Sequence, residues 1–98
     1  MFKLLSVVKS KKTNKKYDAI FENKKTKKTK TVSFGAAGMD DYTITKDKEQ
    51  RLRYRLRHKK DLETKDPLRA GHLSWYLLWG DSTSLRENIK SYRKRFNL

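Results

Sequence analysis

The only histidines, His58 and His72, and the adjacent carboxylates Asp40 and Asp41 come closest in this chain to a catalytic or metal-binding set. Neighbouring carboxylates on an extended segment point to opposite sides, and no further acid or histidine recurs at a ligand spacing. The acid pair is therefore assigned to capping, to turning the chain, or to pairing with arginine, and the histidines to structural hydrogen bonds. Gly35-Ala36-Ala37-Gly38 precedes the acids but lacks the Gly-Lys-Ser/Thr ending and the immediate helix of a phosphate-gripping loop. No catalytic residue, metal site or cofactor is expected.

Cations are the chemistry the chain does have. Twenty-six Lys and Arg face eleven acids, a net charge of +15, so the surface repels itself until a polyanion approaches. Ten lysines fall from Lys9 to Lys30, more than the guarding of strand edges requires. Lys11, Lys12, Lys15 and Lys16 in one turn, and Lys24, Lys25, Lys27 and Lys28 in the next, are candidate contacts to phosphate or another polyanion. Arg51, Arg53, Arg55 and Arg57 form a second candidate surface, and arginine suits bidentate pairing with phosphate or carboxylate.

These residues must be held by a small fold. A chain of 98 residues without cysteine forms one domain (1–98) with neither disulfides nor thiolate metal sites. The absence of cysteine fits a reducing compartment. No apolar run is long enough to span a bilayer, and the N-terminus lacks the basic region and cleavage site of a signal peptide.

The pattern predicts an α+β fold: an N-terminal three-stranded antiparallel meander followed by two to three helices packed on it. Residues 1–35 form the lysine-rich sheet, 36–46 a turn and connector, and 47–98 the helical part. Strands are expected at 2–9, at 17–22 with Tyr17, Ala19 and Phe21 on one face, and at 29–35 with Val32 and Phe34 aligned. Two short connections make the order antiparallel, and Asn14 is the residue best able to take a positive φ in the first turn.

Asp47 followed by Gln50 resembles a capping box, and Leu52 with Leu56 gives the ensuing helix a narrow apolar strip among its arginines. Residues 61–71 are expected as a connector, broken by Pro67 and Gly71. His72 to Trp79 is the most apolar stretch, assigned as a short buried helix, with Trp75 and Trp79 given to the core rather than to base stacking. Ser84 with Glu87 opens a last helix, in which Leu85, Ile89, Tyr92 and Phe96 share a face.

A set of short motifs carries one resemblance: Phe34-Gly35-Ala36-Ala37-Gly38-Met39-Asp40-Asp41-Tyr42-Thr43, Lys46-Asp47-Lys48-Glu49, Tyr54, Arg57-His58, Ala70-Gly71 and Leu77-Leu78-Trp79. In this order they are similar to an uncharacterised family of small basic proteins found in nucleocytoplasmic large DNA viruses. Thr64 after Glu63, and His72-Leu73 after the Ala-Gly, depart from the aromatics of that pattern. The resemblance implies a viral setting, in the virion and in host cytoplasm during assembly, and no mechanism.

Charge and resemblance together give the leading expectation of a non-enzymatic, minor structural virion protein. Its partners would be capsid or other virion proteins, nucleic acid, or an anionic membrane surface. The alternative is a sequence-nonspecific DNA-binding protein that packages the genome. A third class, a metal-dependent nuclease, would have to use His58, His72 and the acid pair.

Overall fold

The computed structural model describes residues 1–98. Three strands, β1 (Phe2–Lys9), β2 (Lys15–Asn23) and β3 (Thr29–Ala36), form an antiparallel sheet in the order β1-β2-β3. Alternation gives the sheet one apolar face. Leu4 stands opposite Phe21, Ala19 opposite Val32, and Tyr17 opposite Phe34. Ala19, Phe21 and Phe34 are wholly buried. The register slips between Leu4 and Ser6, a bulge that lets Val7 rejoin the inner face opposite Ala19.

Helices cover that face. The buried apolar stretch is a helix as expected, but it changes pitch: α3 (Ala70–Leu73) runs on as a π-helical turn over Ser74–Leu78. Leu73 and Leu77 are fully buried, and Trp75 and Trp79 nearly so. The last helix, α4 (Leu85–Phe96), starts at Ser84, whose hydroxyl accepts Glu87 N. It buries Tyr92 and packs Leu85, Ile89 and Phe96 against the core. Asn88 is also buried, and its side chain is satisfied by Leu77 O, Ser82 O and Ser82 N at 2.8–3.0 Å. That amide locks α4 to the end of the core helix.

The ends of the chain meet at β1. Leu4 N donates to Leu98 O at 3.2 Å. Arg93 donates from Nε to Leu4 O and from Nη2 to Leu5 O, at 3.1 and 3.0 Å.

Four local expectations change. Asn14 is not among the positive-φ residues; Lys27 is, at φ 64° in the second turn, and Lys46 and Lys65 share that conformation. The 36–46 connector contains a one-turn helix, α1 (Tyr42–Thr45). The 61–71 connector begins in a 3₁₀ turn over Lys59–Leu62 and gives way to helix at Ala70. The expected helix α2 (Lys48–Arg57) forms, capped by Asp47 on Glu49 N and Gln50 N. Only half of its capping box is made, because the Gln50 side chain accepts from the Thr45 hydroxyl instead.

Candidate polyanion interface

The two lysine turns are built differently from one another and stand apart. β2 joins them, and its nine residues at about 3.3 Å each put roughly 26 Å between them. That is about three Debye lengths at physiological salt, so each turn presents its charge independently. They are two surfaces and not one.

The second turn is the denser. Lys24, Lys25, Lys27, Lys28 and Lys30 are all exposed, and none makes an ion pair. Asn23 shapes the turn. Its side-chain oxygen accepts Lys25 N at 2.9 Å and Thr26 N at 3.3 Å, and its carbonyl accepts Lys27 N at 2.8 Å. Lys27 closes it in the left-handed region, where an L side chain crowds its own backbone. Glycine or asparagine would hold that angle more cheaply. The turn therefore keeps a cation where backbone sterics favour another residue.

The first turn is anchored from below. Asp18 is buried on the outer side of the sheet, and Ser10 and Ser33 donate their hydroxyls to its Oδ1 at 2.7 and 2.6 Å. The Ser10 hydrogen bond, then that of Ser33, holds its carboxyl below the ordinary value of 3.8. Lys11 and Lys12 are exposed here and Lys15 is half-buried.

Lys16 leaves the candidate surface. Its ammonium is buried against the Asp41 carboxylate at 2.5 Å, with the two side chains only 11% and 2% exposed. Asp41 also caps α1 by accepting Thr43 N at 2.8 Å. The acid pair thus splits: Asp41 caps and pairs, with lysine rather than arginine, and Asp40 faces solvent.

The arginine helix splits as well. Arg51 donates to Gly80 O at 2.6 Å and Asp81 Oδ1 at 2.7 Å; Arg55 donates to Trp79 O at 2.9 Å. Arg51 also lies over the Tyr42 ring and Arg55 over Trp75. Burial, and then the neighbouring Arg51 charge, lower the pKa of Arg55. These two arginines fasten α2 to the core, while Arg53 and Arg57 stay exposed. Between them the inward residue is Tyr54. Its ring stacks on Trp79 at 4.3 Å and on His58 at 4.1 Å, and burial pushes its phenol up to about 12. Leu52 and Leu56, the expected narrow apolar strip of this helix, are 58% and 67% exposed.

A further cationic stripe runs along the polar side of the last helix. Arg86, Lys90 and Lys94 recur every four residues along α4 and are all exposed. Complementing the helix dipole accounts only for the cations of the last turn. The i, i+4, i+8 spacing was the available signal.

The scattered motifs quoted above meet in space. Phe34, Gly35, Asp41, Tyr54, His58, Gly71 and Trp79 are among the residues lining one open groove of about 650 Å³. Two glycines allow this convergence. A Cβ on Gly35 would stand 2.8 Å from Leu78 Cδ1, and one on Gly71 would stand 2.9 Å from Asp61 Cβ and Cγ. His58 Nδ1 lies 3.4 Å from Asp61 Oδ2. His72 is buried between the Tyr76 and Phe96 rings, away from both Asp40 and Asp41 in its contacts. No three His, Asp or Glu side chains gather as a metal-binding group. No helix is long and apolar enough to cross a membrane.

A family model described as a family of unknown function, DUF5754, matches residues 5–58, more than half of the chain. The chain belongs to that family. The matched span takes in both lysine turns, the Asp41 cap and the whole of α2. No curated protein and no solved structure matches the chain.

Proposed function

We propose that this member of a family without an assigned activity is a non-enzymatic binder of polyanions, acting as a minor structural component of a large DNA virus particle. The observation that carries the reading is the second turn: five exposed lysines in the seven residues from Lys24 to Lys30, none ion-paired. Lys27 keeps its charge there at a cost in backbone strain. Only Lys16, Arg51, Arg55 and Arg69 among the 26 basic residues of the chain have an acidic partner. The virion setting comes from the motif resemblance and from nothing else.

The contact residues are Lys24, Lys25, Lys27, Lys28 and Lys30, with Lys11, Lys12 and Lys15 at the far end of the sheet, and Arg53 with Arg57 on α2. Sequence-nonspecific packaging of DNA is the second reading, favoured by the spread of charge over separate surfaces. Binding to random-sequence duplex across a salt series tests the polyanion reading. Tight binding below about 0.1 M salt with a slope of several units supports it, and a slope near zero refutes it. Mass spectrometry of purified particles tests the virion setting, and absence of the chain from them refutes that part.

A further inference from the structure

We propose that the outer edge of β1, together with the facing side of α4, is a docking groove for an extended acidic peptide, independent of the lysine turns. β1 is an outermost strand, and it is long and apolar for an uncovered edge. Outside the sheet its backbone makes one hydrogen bond to another backbone group, from Leu4 N to Leu98 O. Arg93 satisfies the carbonyls of Leu4 and Leu5. From Ser6 to Lys9 the backbone groups that point away from β2 have no partner in the chain, which leaves a template for strand addition.

The template borders a groove of about 740 Å³ between β1 and α4. Its apolar surface comes from Leu5, Val7, Leu85 and Ile89. Leu5, which lines the groove, is 39% exposed although β1 is a strand of the main sheet. Arg86, Lys90 and Arg93 supply the charged rim, against the single acid Glu87. An extended segment whose helix-facing side chains, at every second residue, include both apolar and acidic ones matches both features. Its main chain would pair with Ser6–Lys9, its apolar side chains would settle on Leu85 and Ile89, and its carboxylates would reach Arg86 and Lys90.

Charge excludes the most obvious rival. A second copy docking edge to edge would bring one +15 chain against another. The Arg93 guanidinium closes the template at the bulge, which sets the register by blocking extension past Leu5.

The test uses the full chain and a fluorescein-labelled eight-residue peptide with valine and glutamate taking turns at every second position and threonine between them, read by anisotropy at 0.15 M salt. Saturable binding is expected, weakened about tenfold by the double charge reversal Arg86→Glu with Lys90→Glu. Amide exchange should slow at Ser6–Lys9 when the peptide is added. Neutralising Lys24, Lys25, Lys27 and Lys28 together should leave peptide affinity within twofold, while duplex DNA binding falls in the same variant. The proposal is overturned by absence of binding, by loss of peptide affinity on neutralising the second turn, or by unchanged exchange along β1. Sedimentation showing self-association that β1 residues protect would also overturn it. Duplex binding is read separately, so a failure here leaves the polyanion reading to its own assay.

Discussion

Replacing Lys27 with glycine should make the fold more stable and the protein a poorer binder of polyanions. Lys27 holds φ 64°, a conformation that costs an L residue about 1–2 kcal/mol. Glycine removes that cost and returns about 0.5–1 kcal/mol through its greater freedom in the unfolded chain. The net gain is about 0.5–1 kcal/mol, and for a domain of this size the melting temperature should rise by about 3–6 °C. No side-chain hydrogen bond or ion pair of Lys27 is lost, because its structural contribution to the turn is the backbone bond from its N–H to Asn23 O. The same substitution deletes one phosphate contact, which lowers the salt slope of duplex binding by about 0.9. Thermal unfolding and a salt titration on one preparation read both effects. A fall in melting temperature would mean the Lys27 side chain supports the turn, and an unchanged slope would remove it from the interface. Either result breaks the argument that charge is held there against backbone preference.

Asp41→Ala should cost about 3–5 kcal/mol in urea unfolding, because it strands the buried Lys16 ammonium and uncaps α1; a loss below 1 kcal/mol would deny the pair its structural role. Arg55→Ala should lower stability by about 1–2 kcal/mol and leave the salt slope alone, whereas Arg53→Ala should do the reverse, as denaturation and duplex titration would read. Asp18 carries a depressed pKa, so its contribution to stability is complete above the unfolded value of 3.8 and is lost as pH falls through the lower folded value. Asp18→Asn should therefore flatten the acid limb of the stability–pH profile, and an unchanged limb would count against the Ser10 and Ser33 bonds as its source. Gly80→Ala should destabilise by about 3 kcal/mol or more, since the added Cβ would lie 2.1 Å from Tyr76 O and 2.9 Å from Asn88.

The sheet was legible because alternation is a local signal: Tyr17, Ala19 and Phe21 declare their face within five residues. The last helix was legible for the same reason, from Ser84 and the spacing of Leu85, Ile89, Tyr92 and Phe96. The orientation of α2 was not. Its leucines looked inward-facing by type, but the partners that turn Arg51 and Arg55 inward lie 24–30 residues away at Trp79, Gly80 and Asp81. Carbonyls freed at the end of a helix leave no mark in local periodicity. Lys16 was misjudged for a related reason, since its partner Asp41 lies across the β3 connection. The separation of the two lysine turns was readable in principle from the length of β2, because consecutive turns of a meander fall at opposite ends of the sheet.

The closure of β1 by Arg93 and Leu98 also bears on synthesis. The edge of β1 at Leu4 and Leu5 is satisfied by residues 88–94 positions further along the chain, which are made well after the strand itself. Throughout that interval Leu5 and Val8 stand on an open template with the lysines of the first turn beside them. A nascent chain in that state is both sticky and strongly cationic, and a polyanion already present could occupy it before the fold has closed. The protein's charge is then a factor in how it matures as well as in what the finished molecule binds.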